Sequence, residues 1–416
     1  MKMDRRGSAL AEWRNYWWLP VAATIGYSTI GLQSYGIGPF VAHIEQEFGW
    51  SRAEVMIGLS LSNAVGIFLN ILVGMVVDRF GPRRVALTGL VVKTAAYAAL
   101  GTATASLIHW SLLWVGIAIG VVLVQSTVWT AAIATRFDHS RGFAFAVTLS
   151  GSALTATICP LLATWLITDY GWRLAFAGVA GFWFLATFPV AFLFFRGARD
   201  VSRKGEEKVS ATPMDVPGLT LREGMRTGAF ARLLISFGTF SFYSMAMAAN
   251  LVPLLMEAGQ NASSAARIAA LMGIVGIIAR LSIGFLLDRL PGNLIGGFSQ
   301  MLPVLGCALL LADVPGTWPL IFAVATFGFA TGAEMDVTLY LASRHFGLRS
   351  FAALFGAVIT IGALAAAIGP VVAGWLHDLT GNYDGLLIST MILMTIGALA
   401  IATTRKPPEE FAKLGH

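Results

Sequence analysis

The sequence predicts an all-α membrane protein: twelve transmembrane helices in two six-helix halves related by a parallel repeat. Three observations predict it. Of 416 residues, 56% are apolar and only 12% charged, with a mean hydropathy of +0.74, whereas soluble domains carry about 25% charged residues. The apolar residues gather into stretches near the length of about 20 that crosses a bilayer. Landmarks of the first half return in the second at one shared offset.

In chain order, the spans read 17–40, 54–77, 85–105, 110–135, 143–168, 174–195, 229–256, 267–287, 294–312, 317–342, 351–376 and 385–403. Lys2, Arg5 and Arg6 precede the first, as in a secretory signal. The run from Trp17 to Phe40 is too long for the apolar core of one and has no small-residue cleavage site, so it reads as a retained span. Alternate loops then decide orientation. One side collects Lys2, Arg5, Arg6 and Arg14, then Arg79, Arg83 and Arg84, Arg136 and Arg141, the cluster Arg196 to Arg232, Arg289, Arg344, Arg349, Arg405, Lys406 and Lys413. The other side holds Arg52, Arg173 and Arg267. Both termini and the central loop are therefore expected in the cytoplasm. The net charge of +6 is a topology signal; scattered over separate loops without interleaved aromatics, it does not describe a nucleic-acid surface. Cys159 and Cys307 fall inside spans, far apart, and read as small buried hydrophobes. Short loops favour a bacterial inner membrane.

The repeat fixes the domain plan. GMVVDR at Gly74 to Arg79 returns as GFLLDR at Gly284 to Arg289, an offset of 210 residues. Pro160, Trp165 and Gly171 return as Pro370, Trp375 and Gly381 at the same offset. The expected units are an N-terminal half, 1–195, and a C-terminal half, 229–416. Between them the polar stretch 196–228 reads as a cytoplasmic linker ending in a short surface helix. Two parallel-repeat halves are the layout of transporters whose substrate site lies near the bilayer midplane.

The stretch GMVVDRFGPRR, Gly74 to Arg84, resembles the signature loop between the second and third helices of the major facilitator superfamily, and GFLLDRLPGN falls where that family repeats it. The resemblance implies a conformational clasp of Gly74, Asp78, Arg79, Arg83, Asp288 and Arg289, breaking and reforming as the halves rock. Within the superfamily the chain resembles the monocarboxylate transporters, by RFDHSRGFAFAVTLSGS at Arg136 to Ser152 and by Arg280 in the eighth span. In that branch and in the related oxalate–formate exchanger, an eighth-helix arginine binds the substrate carboxylate. The chain departs from the animal branch in two places: Gly276 stands where an aspartate is common, and the first span has no lysine. The animal coupling scheme is therefore not carried over whole.

At 1.5 Å per residue, Arg280 lies about 12 Å from Asp288, where a lipid-facing guanidinium costs several kcal/mol. It must face protein or a wet cavity. The same depth on other spans holds Tyr27, Asn70, Lys93, Gln125, Ser152, Ser241, Glu334 and Thr360. Ser241 and Thr360 read as packing or intrahelical hydrogen-bonding residues, and Ser152 shares that reading. Asn70 is the repeat mate of Arg280, so the cation exists in one half alone. Lys93 calls for an ion pair or for snorkelling to the cytoplasm. The expected binding residues are Arg280, Tyr27, Gln125, Ser152 and Asn70. One guanidinium fork suits one carboxylate, and the eleventh span adds no second cation, so a small monocarboxylate of the lactate and pyruvate class is expected.

Mid-span carboxylates are candidates for a proton relay. Glu334 and Asp336 point in nearly opposite directions on one helix. Depth favours Glu334, with Asp336 free to pair with cytoplasmic basic residues, or either acid to neutralise Lys93. The expected activity is proton-coupled monocarboxylate transport, with a carboxylate exchanger or a transporter-like sensor as alternatives. No nucleotide-binding loop, cofactor motif or paired metal-ligand spacing is present; the six histidines fall in loops, near span ends or at the terminus. The expected partners are the substrate, a proton and the bilayer, without nucleic acid or an obligatory protein partner.

Overall fold

The computed structural model describes residues 5–133, 136–137, 140–196, 218–287, 289–347 and 350–404; the side chains at 5–9, 70–72, 74–75, 78, 141–142 and 351–352 lie outside that description. The described chain is helical. In order run α1 (Arg5–Tyr16), α2 (Trp18–Tyr27), α3 (Leu32–Gly36), α4 (Val41–Phe48), α5 (Arg52–Phe80), α6 (Pro82–Ala99), α7 (Leu107–Leu123), α8 (Ser126–Ile133), α9 (Arg141–Leu149), α10 (Gly151–Tyr170) and α11 (Trp172–Phe194). Then come α12 (Leu221–Met225), α13 (Gly228–Glu257), α14 (Ala262–Leu287), α15 (Gly292–Leu311), α16 (Trp318–Phe346), α17 (Phe351–Thr380) and α18 (Asp384–Ala402). Among the described residues, eleven stretches are long and apolar enough to cross a membrane. The expected first span differs: it is broken by tight turns at Ser28–Gly31 and Gly38–Phe40 rather than running as one helix.

Helix ends follow local chemistry. Ser106 and Thr227 accept the backbone N–H three residues on, and Thr220 with Glu223 forms a reciprocal capping box that starts the short helix expected after the linker. Asn261, which matches a glycosylation sequon, accepts from Ser264 N at 2.8 Å and caps α14. The repeat reappears as geometry: Pro160 and Pro370 lie inside α10 and α17, and Gly171 and Gly381 after those helices have φ of 78° and 73°, where a side chain is disfavoured. Trp165 and Trp375 are each 54% exposed, as membrane-facing aromatics are.

The chain divides into two compact units. The first comprises Met1–Trp50, Ile57–Glu206 and Asn261–Ala270; the second, Ser51–Met56, Glu207–Gln260 and Leu271–His416. These boundaries differ in detail from the expected halves, because the first turn of α5 groups with the second unit and the start of α14 with the first. One core of the first unit gathers Leu19, Val85, Leu90, Val128, Trp129 and Phe137. One of the second gathers Leu233, Ile283, Val337, Phe346, Leu354 and Val358.

Candidate functional site

Three expected binding residues of the first unit stand at helix interruptions. Tyr27 ends α2 where the backbone tightens into a 3-10 turn, Gln125 lies in the break between α7 and α8, and Ser152 is the second residue of α10 after the break at Ser150. Interrupted helices release backbone groups, which in a membrane are tolerated only against protein or a water-filled cavity. Here glycines let the broken segments meet. A Cβ on Gly151 would lie 2.1 Å from Thr24 O, and one on Gly26 would lie 2.1 Å from the Trp129 ring. The Thr24 hydroxyl donates to Val147 O at 2.9 Å, the Thr155 hydroxyl to Ser28 O, and Trp183 Nε1 to Ser28 Oγ at 3.1 Å. Trp129 Nε1 closes the fourth-span break by donating to Val124 O at 3.0 Å. Tyr27 and Gln125 are half-buried. The Ser152 hydroxyl donates to Leu149 O at 3.2 Å, the intrahelical bond common for small polar residues.

Lys93 neither snorkels nor pairs with a carboxylate among the described residues. It is fully buried, and its Nζ donates to Gln33 Oε1 at 2.6 Å, with Gln33 Nε2 within 3.4 Å of Asn63 Oδ1. Gly120 lies close against the Lys93 backbone, where a Cβ would fall 2.6 Å from Lys93 Cα, so α7 meets α6 closely at this level.

In the second unit a glycine seam builds the charged site. A Cβ on Gly332 would lie 2.1 Å from Gly276 O, and one on Gly328 would lie 2.5 Å from Met272 O, so α14 and α16 approach backbone to backbone. One turn further along each helix the seam delivers Arg280 and Asp336 to the same level. Arg280 Nε stands 3.4 Å from Asp336 Oδ2, with side chains 14% and 28% exposed. Nε itself has no aligned hydrogen-bond partner. One turn before Arg280 the helix carries a packing glycine, Gly276, and the carboxylate beside the guanidinium comes from α16.

Depth favours Glu334 as the proton-relay carboxylate; the carboxylate that stands beside Arg280 is Asp336. Two residues apart on a helix, the two acids diverge by about 200°, and the glycine seam decides which face of α16 meets α14. Depth alone carries no such information. Glu334 is fully buried. The Thr338 hydroxyl donates to its Oε1 at 3.1 Å, and Gln300 and Ser236 also reach its carboxyl. Gln300 Nε2 donates to Ser236 Oγ at 2.6 Å. The Thr360 hydroxyl donates within its own helix to Gly356 O at 2.9 Å, and Ser241 is buried against the position of Gly362.

Of the expected clasp, Arg79 lies over the Phe80 ring at 5.4 Å. Arg83 donates to Phe192 O at 2.5 Å while lying over that ring, and Arg289 lies over Phe285 at 4.0 Å. Asp288 and the side chains at Asn70, Gly74 and Asp78 lie outside the described residues. Sequence reasoning missed Gln33, Ser236 and Gln300; a lone amide in an otherwise apolar span was the available signal. It also read Arg52 as a mere outside charge. In the second unit, Arg52 Nη1 reaches Glu257 Oε1 at 3.2 Å and Tyr383 Oη at 2.7 Å. The Asp378 carboxylate accepts from Arg52 N and Ala53 N at 3.0 Å each, capping α5 from α17.

Long apolar helices in two units, with broken spans carrying polar residues and a charge pair between two membrane helices, fit a membrane transporter. The sequence profile of the Major Facilitator Superfamily matches residues 23–370, and the chain belongs to that superfamily as a secondary transporter. It is similar to monocarboxylate transporter 13 of Bos taurus, 24% identical over 380 residues covering 89% of this chain and 84% of that protein. It is also similar to monocarboxylate transporter 11 of Mus musculus, 25% identical over 401 residues covering 90% and 85%. The agnestins efflux protein of Paecilomyces divaricatus is 24% identical over 341 residues, 80% of this chain and 73% of that protein. Among solved structures, the chain matches a bacterial homolog of the human lysosomal transporter Spinster in an inward-facing and occupied conformation. The TM-score is 0.71 at 17% identity, over 92% of this chain and 94% of that one, which shows the fold.

Proposed function

We propose that this transporter carries a small monocarboxylate of the lactate and pyruvate class together with a proton, by alternating access, across a bacterial inner membrane with both termini cytoplasmic. The observation that carries the reading is Arg280, a guanidinium in the interior stretch of α14 whose described carboxylate partner, Asp336, stands 3.4 Å from its Nε. A substrate carboxylate offers the same charge with freedom to align both oxygens on the fork. It displaces Asp336, and the anion's charge is balanced by a proton carried on the α16 acids. Anion and proton then bind in mutual support. Tyr27, Gln125, Ser152 and Asn70 are the first half's contribution, and the half-buried positions of Tyr27 and Gln125 at helix breaks support their part. Similarity to proteins named monocarboxylate transporters supports the substrate class.

The test is uptake of radiolabelled monocarboxylates into liposomes holding the purified protein, with an acidified exterior. Accumulation against the substrate gradient is expected for the wild type. Glu334→Gln is expected to keep exchange between the two sides while losing pH-driven accumulation. Counterflow without any pH-driven accumulation in the wild type would make the protein an exchanger instead.

A further inference from the structure

Glu334 poses a donor-counting problem that the charged pair beside it does not. Its carboxyl is fully buried, and its neighbours are neutral. α13 presents Ser236, with its charged residues Arg232 and Glu257 near its two ends and Tyr243 beside Phe327, two turns from Glu334. α15 presents Gln300 and contains no charged residue at all. α17 carries His377 and Asp378 only in its last turn. On α16 itself Thr338 donates to Oε1, Asp336 faces Arg280 of α14, and Arg344 and His345 stand in the final turn. Two acceptors in this nest have no donor: Glu334 Oε2 and Gln300 Oε1. A buried carboxylate with no cation is far more costly than its neutral acid; the Gln300 side chain reaches the Glu334 carboxyl, and one proton on Oε2 would serve both orphan oxygens.

We propose that Glu334 is held as the neutral acid in this conformation, its proton on Oε2 donated to Gln300 Oε1, with Gln300 and Ser236 as the positioning residues of that proton. This rests on the symport reading and divides its labour: Asp336 is the counter-charge that yields Arg280 to the anion, and Glu334 is where the accompanying proton rests. The step is the formation of one O–H bond at Oε2, with the proton supplied by water on the side open to the site and returned to water on the other.

Infrared difference spectroscopy of the full-length protein in lipid tests this without needing transport. The expected result is a carboxylic-acid carbonyl band at neutral pH that shifts in heavy water, disappears in Glu334→Gln and persists in Asp336→Asn. Gln300→Leu should shift that band and move the pH at which it is lost, which a merely structural glutamine would not do. Titrating the wild-type band against pH gives the same answer if a variant fails to fold. No wild-type acid band, or one that survives in Glu334→Gln, overturns the proposal; the Gln300 amide would then present its nitrogen to a carboxylate. An acid band with no pH-driven accumulation would remove the symport reading and leave the proton assignment standing, and the reverse pairing would do the opposite.

Discussion

Arg280 and Asp336 form a pair 3.4 Å apart; under the proposed function its strength would set the substrate's affinity, because the anion must take the guanidinium from that carboxylate. Arg280→Lys keeps the charge and loses the planar fork, so binding of lactate or pyruvate should weaken about tenfold or more, the loss of one charge-assisted hydrogen bond of about 1.5–3 kcal/mol. Equilibrium binding to folded, monodisperse protein measures it, and unchanged affinity would remove Arg280 from the site. Asp336→Asn acts in the other direction. With the competing charge gone, the anion should bind more tightly yet turn over more slowly, since nothing draws the arginine back at release. Affinity and exchange rate measured on the same preparation separate these two effects.

The elements position these side chains through contacts that leave no room for a methyl group. At the seam of α14 and α16, Gly332→Ala would drive a Cβ to within 2.1 Å of a backbone oxygen, which neither helix yields without moving. The expected cost is that of overpacking, about 1–3 kcal/mol, read as a lower thermal midpoint in detergent, with weakened anion binding as Asp336 withdraws from Arg280. Normal stability together with normal binding would mean the seam does not set the pair. A different device holds the start of α5: the Asp378 carboxylate takes two of its free N–H groups, and Arg52 ties its side chain to Glu257 and Tyr383. The Tyr383 hydroxyl passes the chain of bonds on to Asn250 Oδ1 at 3.0 Å. His377 Nε2 meets the same Glu257 oxygen at 2.6 Å. Outside the spans, Glu47 of α4 receives hydrogen bonds from Arg173 and Trp172 at 2.6 Å each. The Arg173 contact above all holds its carboxyl below the usual carboxylate range. That contribution is present above the ordinary carboxylate pKa and fades as pH falls through the lowered one.

For the whole molecule, the repeated GMVVDR and GFLLDR segments are proposed as a clasp that bears on the balance between conformations. Asp78→Asn is expected to slow transport more than it weakens equilibrium binding, because it biases states that share one site. Proteoliposome uptake set against equilibrium binding measures the ratio. Equal losses in both would make Asp78 a folding residue.

The membrane solvent, the all-helical fold and the placing of Arg280 inside an apolar span were determined by sequence, because each rests on composition, length or position, quantities that a linear chain carries complete; of the twelve expected spans, eleven crossing-length stretches stand among the described residues. The proline and glycine mates at Pro160 and Pro370, Gly171 and Gly381 were legible for the same reason. Three things were decided only by tertiary structure. The break of the first span at Ser28–Gly31 is held by a hydroxyl from α10 and an indole from α11, partners more than a hundred residues away. Lys93 found an amide instead of a carboxylate because Gln33 on a neighbouring segment stands within its reach. The choice of Asp336 over Glu334 as the partner of Arg280 depended on which face of α16 the Gly276 and Gly332 backbones bring against α14. Depth along a helix can be counted from sequence; rotation about its axis is set by the neighbour it packs against.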